Sequence, residues 1–384
     1  MAASARMVSS RSGPKKHPVV IDLGSAFIRC GFAGEPRPIH VVPSPIGGDG
    51  DGEDSARTEQ EWVEVLTGVL QRLYTESLQC RPRVPSLHMC AGPAPALFCT
   101  GVDTGMVLDI GRSEAHVVAV YRGATLTSSY AGVPLGCRAV QERVRELLIE
   151  EEEQAVGDGG GARPLTSREV EDVVVRACLV PVGGVPSPDQ VSPMELMFAG
   201  QRRVVVSGAT RTTAAEQALF EGDEEGRSLA TLVLDCLKRC PRDCRRALVQ
   251  NVLVAGGGAV LPGLPARLAQ EIEALATAAA APPPPLGSSE GYSWARAAVC
   301  GDPGGLCVVR VPVRRDHLVW TGASIMASLG GIADRSLTCE QYLARRGEGG
   351  GRLLPDWMSV SSADWLFEGG GAAAAAVHSS RVSA

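Results

Sequence analysis

The sequence of 384 residues has no apolar run near the ~20 residues a membrane-spanning helix needs, which excludes a helical membrane span. It has no basic excess. Its formal net charge is −6, which argues against a nucleic-acid binder, since such proteins usually carry a basic footprint. It has no Cys-x-x-Cys pair and no N-terminal secretory core, so its 12 cysteines read as buried or free thiols of a reducing compartment. Cys236, Cys240 and Cys244 stand four apart, but Pro241 interrupts any single helix, no histidine lies near, and zinc spacing is not met. The acidic glycine stretch 47–54 lacks the twelve-residue frame and closing glutamate of a calcium loop and reads as a solvated loop. Residues 1–17 carry Arg6, Arg11, Lys15 and Lys16 and no acid, a transit-peptide bias, but they hold no apolar stripe; a flexible tail is expected. Hydrophobic residues make up 45% of the chain, enough to fill real cores, and the length suits two domains of ~150 residues.

What is present is a repeated device. Val19-Val20-Ile21-Asp22-Leu23-Gly24-Ser25 is a β-branched run ended by a carboxylate and a glycine turn, and Phe27, Ile28 and Phe32 resume the apolar pattern. Met106-Val107-Leu108-Asp109-Ile110-Gly111 followed by Val117–Tyr121 repeats it. Turn amides can cradle anionic oxygens and a strand-end Asp can order the water shell of a magnesium ion, so two such turns face to face would clamp a phosphate chain. An ordinary hairpin with a turn Asp is the bland alternative for either copy alone. A third stretch, Asn251 to Gly263, runs an apolar strand into Gly256-Gly257-Gly258 and then a helix with Leu264, Leu268, Ile272 and Leu275 on one face. It lacks the Lys-Ser/Thr of a P-loop and the spacing of a dinucleotide fingerprint.

Apolar spacing predicts helices over 59–75, 137–153, 167–178 and 228–239, the last capped by Ser228, and a small-residue helix from Trp320 to Leu329. Short strands are expected within 185–215, notably 203–206, and at 307–313. Prolines at 82, 85, 93 and 95 leave little regular structure over 80–96. Residues 157–162 and 277–291 read as linkers, and 369–384 as a low-complexity tail.

These stretches, in this order, resemble actin and the actin-related proteins. The two Asp-x-Gly hairpins, the glycine stretch and Val319-Trp320-Thr321-Gly322-Ala323-Ser324-Ile325-Met326-Ala327-Ser328-Leu329 carry the likeness, with Phe32-Ala33-Gly34 after the first hairpin. It extends over about 19–367. The resemblance implies an α/β, actin-like (ribonuclease H-like) fold with duplicated mixed sheets around a central cleft. Residues 18–100 with 313–367 would form the first lobe, 101–312 the second, and 1–17 and 368–384 tails. It implies a nucleotide site, ATP or ADP with magnesium, held by Asp22, Leu23, Gly24, Ser25, Arg29, Asp109, Gly111, Arg112, Gly256, Gly257, Gly258 and Val260, with Asp22 and Asp109 reaching the metal through water. Within the family the likeness is greatest to the divergent subfamily at the pointed end of the dynactin filament. Val19–Gly24 with Cys30–Glu35, Ala230–Asp235 before Cys240-Pro241, and Gly351-Arg352-Leu353-Leu354-Pro355-Asp356-Trp357 carry that.

The departures bear on activity. The phosphate-contacting Lys of the first hairpin corresponds to Arg29, an acid of the second hairpin to Arg112, the nucleotide-holding Lys-Glu pair to Val174-Val175, and the hinge Lys to Asp316. Between Leu73 and Phe98 the chain is short, only 87 positions separate Asp22 and Asp109, and the position of the water-orienting Gln falls at Gly92. The first lobe is therefore expected to lack part of its sheet, whether by genuine loss or through a variant transcript or imperfect gene reading; failure to fold is the blandest outcome. The implied function is a non-catalytic, cytoplasmic cytoskeletal subunit that caps the actin-related filament, with other dynactin subunits as partners and dynein transport as the indirect readout. The alternatives are an ATP-hydrolysing or kinase member of the wider superfamily and a nuclear chromatin-remodelling subunit.

Overall fold

The computed structural model describes residues 17–45, 58–79, 84–90, 92–155, 164–183, 190–199, 202–223, 225–278, 292–301, 304–329, 332 and 336–347. Residues 1–16, the acidic stretch 47–54, the linker 157–162, the linker 277–291 beyond Ala278, the 351–357 stretch and the 368–384 tail lie outside them.

Two sheets are built on the repeated device. In the first, β1 (Val19–Leu23) pairs antiparallel with β2 (Phe27–Phe32), which pairs with β3 (His40–Pro43), in the order β1-β2-β3. α1 (Glu59–Arg72) starts in a capping box made by Thr58 and Glu61 and runs on into a π-turn over Leu73–Ser77, so the helical path of 59–75 is extended by two residues. β4 (Ser86–Leu87) and a 3₁₀ turn at Ala94–Thr100 are the regular pieces of the proline-rich stretch.

In the second sheet β5 (Gly105–Ile110), β6 (Ala115–Tyr121) and β7 (Ala124–Val133) form a meander. β10 (Val252–Ala255) adds to β5 in parallel, giving the order β10-β5-β6-β7. A parallel addition needs a long crossover. Here it runs through α2 (Cys137–Ala155), α3 (Ser167–Ala177), the ribbon β8 (Met194–Met197) and β9 (Arg203–Val206), α4 (Gly208–Phe220), α5 (Leu229–Arg239) and α6 (Arg242–Val249). Strands covered on both faces read as continuous apolar runs, and β5 and β10 do. Met106, Leu108, Ile110, Val252 and Val254 enter the large core that the helices close, while Val107, Leu253 and Ala255 turn to a smaller core with Ala96, Leu97 and Leu318. α7 (Leu264–Thr277) and α8 (Arg296–Val299) complete the large core.

α9 (Leu318–Ser328) joins the sheets. Leu318 packs under the second sheet, while Trp320 and Ala327 pack with Val20 and Ala33 under the first. The small residues are what permit this. A Cβ on Gly322 would stand 1.9 Å from the Pro95 carbonyl, and Ser324 accepts from the Gly34 amide at 3.0 Å while donating to the Glu35 carbonyl at 3.0 Å. β11 (Leu337–Thr338) pairs with β4, and α10 (Cys339–Gly347) follows.

One expectation here needs correction. The strand at 307–313 shrinks to one bridge, Val252 to Val308, because Pro312 cannot donate and the chain leaves β10 after Val309. The short strands expected within 185–215 are β8 and β9, the second at 203–206, and α4 follows where Ser207 caps it through the Thr210 amide. The clustered thiols act as local donors, Cys240 to the Cys236 carbonyl and Cys244 to the Pro241 carbonyl. No helix among the described residues is long and apolar enough to cross a membrane.

Candidate functional site

The two hairpins share more than Asp-x-Gly. Register places Asp22 opposite Arg29, with Nη1 and Oδ2 3.2 Å apart, and Asp109 opposite His116, with Nε2 and Oδ2 3.7 Å apart. Each turn thus carries a carboxylate on one strand and a basic group across from it. Each is closed by a glycine amide: Gly24 donates to the Phe27 carbonyl at 3.2 Å and Gly111 to Glu114 at 2.9 Å.

The glycine stretch lies against the second hairpin. Gly256 follows Ala255, the register partner of Asp109, and has φ of 92°. A Cβ there would meet Asp109 Oδ1 at 2.2 Å and the Ile110 carbonyl at 2.4 Å; one on Gly258 would meet Ile110 Cγ2 at 2.4 Å. Packing onto the β5 tip therefore accounts for Gly256 and Gly258. Gly257 is the open position, with only the Cys137 sulfur 3.9 Å away.

All three turns open on one cavity of about 610 Å³. Asp22, Gly24, Ser25, Arg29, Asp109, Gly111, Arg112, Gly256, Gly257, Gly258 and Val260 line it. Leu23 does not: alternation turns it away from the cavity, and it stands about half exposed. Residues that sequence reasoning did not place there include Cys137, Val140, Gln141, Glu171, Leu219 and His317. His116 was legible in principle, as it repeats Arg29 across the hairpin.

Burial pushes the carboxyls of Asp22 and Asp109 above their usual range. Arg29 opposes this at Asp22 while the charge of Asp109 adds to it; at Asp109, His116 and Arg29 oppose it. Two part-buried carboxylates on one cavity, the charge of Asp109 disfavouring that of Asp22, suit a divalent cation. Arg29 lines the cavity and its Nε is buried with no partner, a polar atom left over for a ligand. The phosphate half of the cavity thus fits a hydrated magnesium ion and a phosphate chain. The other half fits a nucleoside less well. Val174 is buried, Val175 is mostly exposed, and the charged groups there include Glu171, Asp316 and Arg314. Burial works against the charge of Asp316, but the hydrogen bonds from Arg314 at 3.0 and 2.8 Å, with His317 and Arg29, hold its carboxyl below the usual range. Burial raises the Cys137 thiol to about 11, so it stays protonated at neutral pH. Gly92 stands on the His116 side, where an added Cβ would be 3.7 Å from Nε2.

The family profile for actin matches residues 71–156 and 189–347. Among curated proteins the chain is similar to Actin-like protein 7A of Mus musculus and of Homo sapiens, each 22% identical over 82% of this chain and 78% of that protein. Actin-like protein 7A of Rattus norvegicus is 21% identical over the same shares.

Proposed function

The chain belongs to the actin family, and on that premise we propose that it is a non-catalytic actin-related subunit that ends an actin-related filament at the pointed end of dynactin, supporting dynein-driven transport. The observation that carries the non-catalytic part is Gly92. The resemblance sets the water-orienting Gln at this position, which has no side chain to orient an attacking water, and phosphoryl transfer depends on such positioning. The pointed-end assignment rests on the sequence likeness of Val19–Gly24 with Cys30–Glu35, Ala230–Asp235 and Gly351–Trp357. A bound nucleotide would bring a phosphate chain and a magnesium ion, which Asp22 and Asp109 would hold through water. Here Arg29 and Arg112 would meet the phosphates, and the ligand would hold the two sheets together by binding linkage. Cytoplasm and cytoskeleton are the expected location.

The test is capture of the chain from cytosol followed by identification of its companions. Dynactin subunits are the expected result, and their absence overturns the assignment. Denaturing the purified chain and identifying any nucleotide released tests the cleft separately.

A second reading, an ATP-hydrolysing or kinase member of the wider superfamily, draws on the convergence of both Asp-x-Gly turns on one cavity. It expects nucleotide turnover above buffer that Asp22→Ala abolishes. The non-catalytic reading expects none from either protein.

A further inference from the structure

Behind the glycine turn lies a second cavity, of about 410 Å³, between residues 259–266 and 310–316. Its floor is apolar: Val260, Pro262, Pro265 and Val313 line it. Its rim is cationic on balance, with Arg310, Arg314 and Arg315 against the single carboxylate of Asp316. Arg314 is engaged by Asp316. Arg315 donates to the Val254 carbonyl at 3.0 Å, and neither it nor Arg310 has an ion-pair partner among the described residues. Arg310 and Arg315 line the same cavity, where the one carboxylate, Asp316, is held by Arg314; burial, with the charge of Arg310 adding to it, draws the guanidinium of Arg315 below its ordinary range.

We propose that this cavity is a docking pocket for an acidic peptide segment of a partner protein, its carboxylates on Arg310 and Arg315 and an apolar side chain on the Val260–Pro265 floor. Guanidinium forks match carboxylates in two-point geometry, and a concave apolar floor beside them suits a short peptide with one anchoring side chain. A nucleic acid needs a basic stripe and a bilayer a broad basic face; a chain of net charge −6 with two unpaired arginines in a hollow offers neither. The inference does not depend on which assembly the chain joins.

The experiment is fluorescence anisotropy of the full chain with a fluorescein-labelled Glu-Glu-Leu-Glu-Glu peptide and its Gln-Gln-Leu-Gln-Gln counterpart. The expected result is saturable binding of the acidic peptide alone, weakened about tenfold or more by Arg310→Glu. Arg296→Glu, an exposed arginine on α8, should leave it unchanged. Arg310 is exposed, so the variant should keep the wild-type melting temperature, which is measured alongside. Equal binding of the glutamine peptide, equal loss with Arg296→Glu, displacement of the peptide by an equal concentration of inorganic phosphate, or Arg310-dependent binding to anionic phosphatidylserine vesicles in place of the peptide would each overturn the proposal.

Discussion

The two sheets that meet at the cleft begin alike and end differently. Each opens with an apolar strand, an Asp, a glycine turn and a return strand bearing a basic group. In the second sheet β5 is then flanked by the parallel strand β10, and both faces are covered by helices and the 94–100 turn. In the first sheet no strand among the described residues pairs with the outer side of β1. What lies under β1 instead is Trp320, whose indole donates to the Val20 carbonyl at 3.1 Å. A turn that can hold a phosphate needs its hairpin and little more, whereas a deep core needs the whole sheet. The lesson is that the cleft chemistry and the stability of this chain are carried unequally: both sheets supply the first, and mainly the second sheet supplies the other.

The largest test of that inequality is Trp320→Ala. The side chain is fully buried, and its loss should cost about 3–5 kcal/mol. The cost should be local: by hydrogen exchange, amides of β1 and β2 lose protection while those of Val107 and Leu253 keep theirs. Uniform loss in both sheets would show that they open as one unit. Next in size is Leu108→Ala in the large core, at about 3 kcal/mol. This one should lower protection everywhere, because the second sheet supports α9 and through it the first. Gly256→Ala is expected to cost about 1–3 kcal/mol, since the position combines positive φ with a Cβ aimed at Asp109. Gly101→Ala shares the positive φ but meets nothing within 4 Å, so it should be milder in a urea midpoint.

Legibility followed the same division. The Asp-x-Gly turns, the Ser228 cap and the glycine stretch could be read because each is set by a few neighbouring residues. The box at Ser228 is formed as its sequence implies, with Thr231 answering the cap. β7 was not read: Thr125, Ser128 and Tyr130 make it polar on one face, and pairing with β6 decides its conformation. α4 carries no local helix signal, because glycine and threonine open it. What holds it is Ala214, Ala215 and Leu219 entering the large core, and that contact is visible only once the crossover is folded. Glu171 and Leu219 reached the cavity by the same route, from a helix face no local motif marks. Leu23 stands in the motif between Asp22 and Gly24, but strand alternation sends it out of the cavity.

The smallest effect expected has the opposite sign and touches the one pair the sheets hold in common. Asp109 sits on the well-covered sheet, and burial raises its carboxyl above the unfolded value. The folded chain therefore holds more protons than the unfolded one between those two values, and stability falls as pH rises through that interval. Above it the ligand-free fold carries a charged group it would hold more cheaply uncharged. Asp109→Asn should then raise the melting midpoint at pH 7, by about 1–3 °C, and the gain should vanish below pH ~4, where the wild-type group is protonated in both states. Asp22→Asn should gain less, because Arg29 lies 3.2 Å away and loses its partner in the exchange. Melting curves of the three proteins across pH 3 to 8 decide it. If Asp109→Asn melts below wild type at pH 7, then His116, 3.7 Å away, is stabilised by that carboxylate more than burial penalises it, and the second hairpin is a structural ion pair where the first is a ligand site.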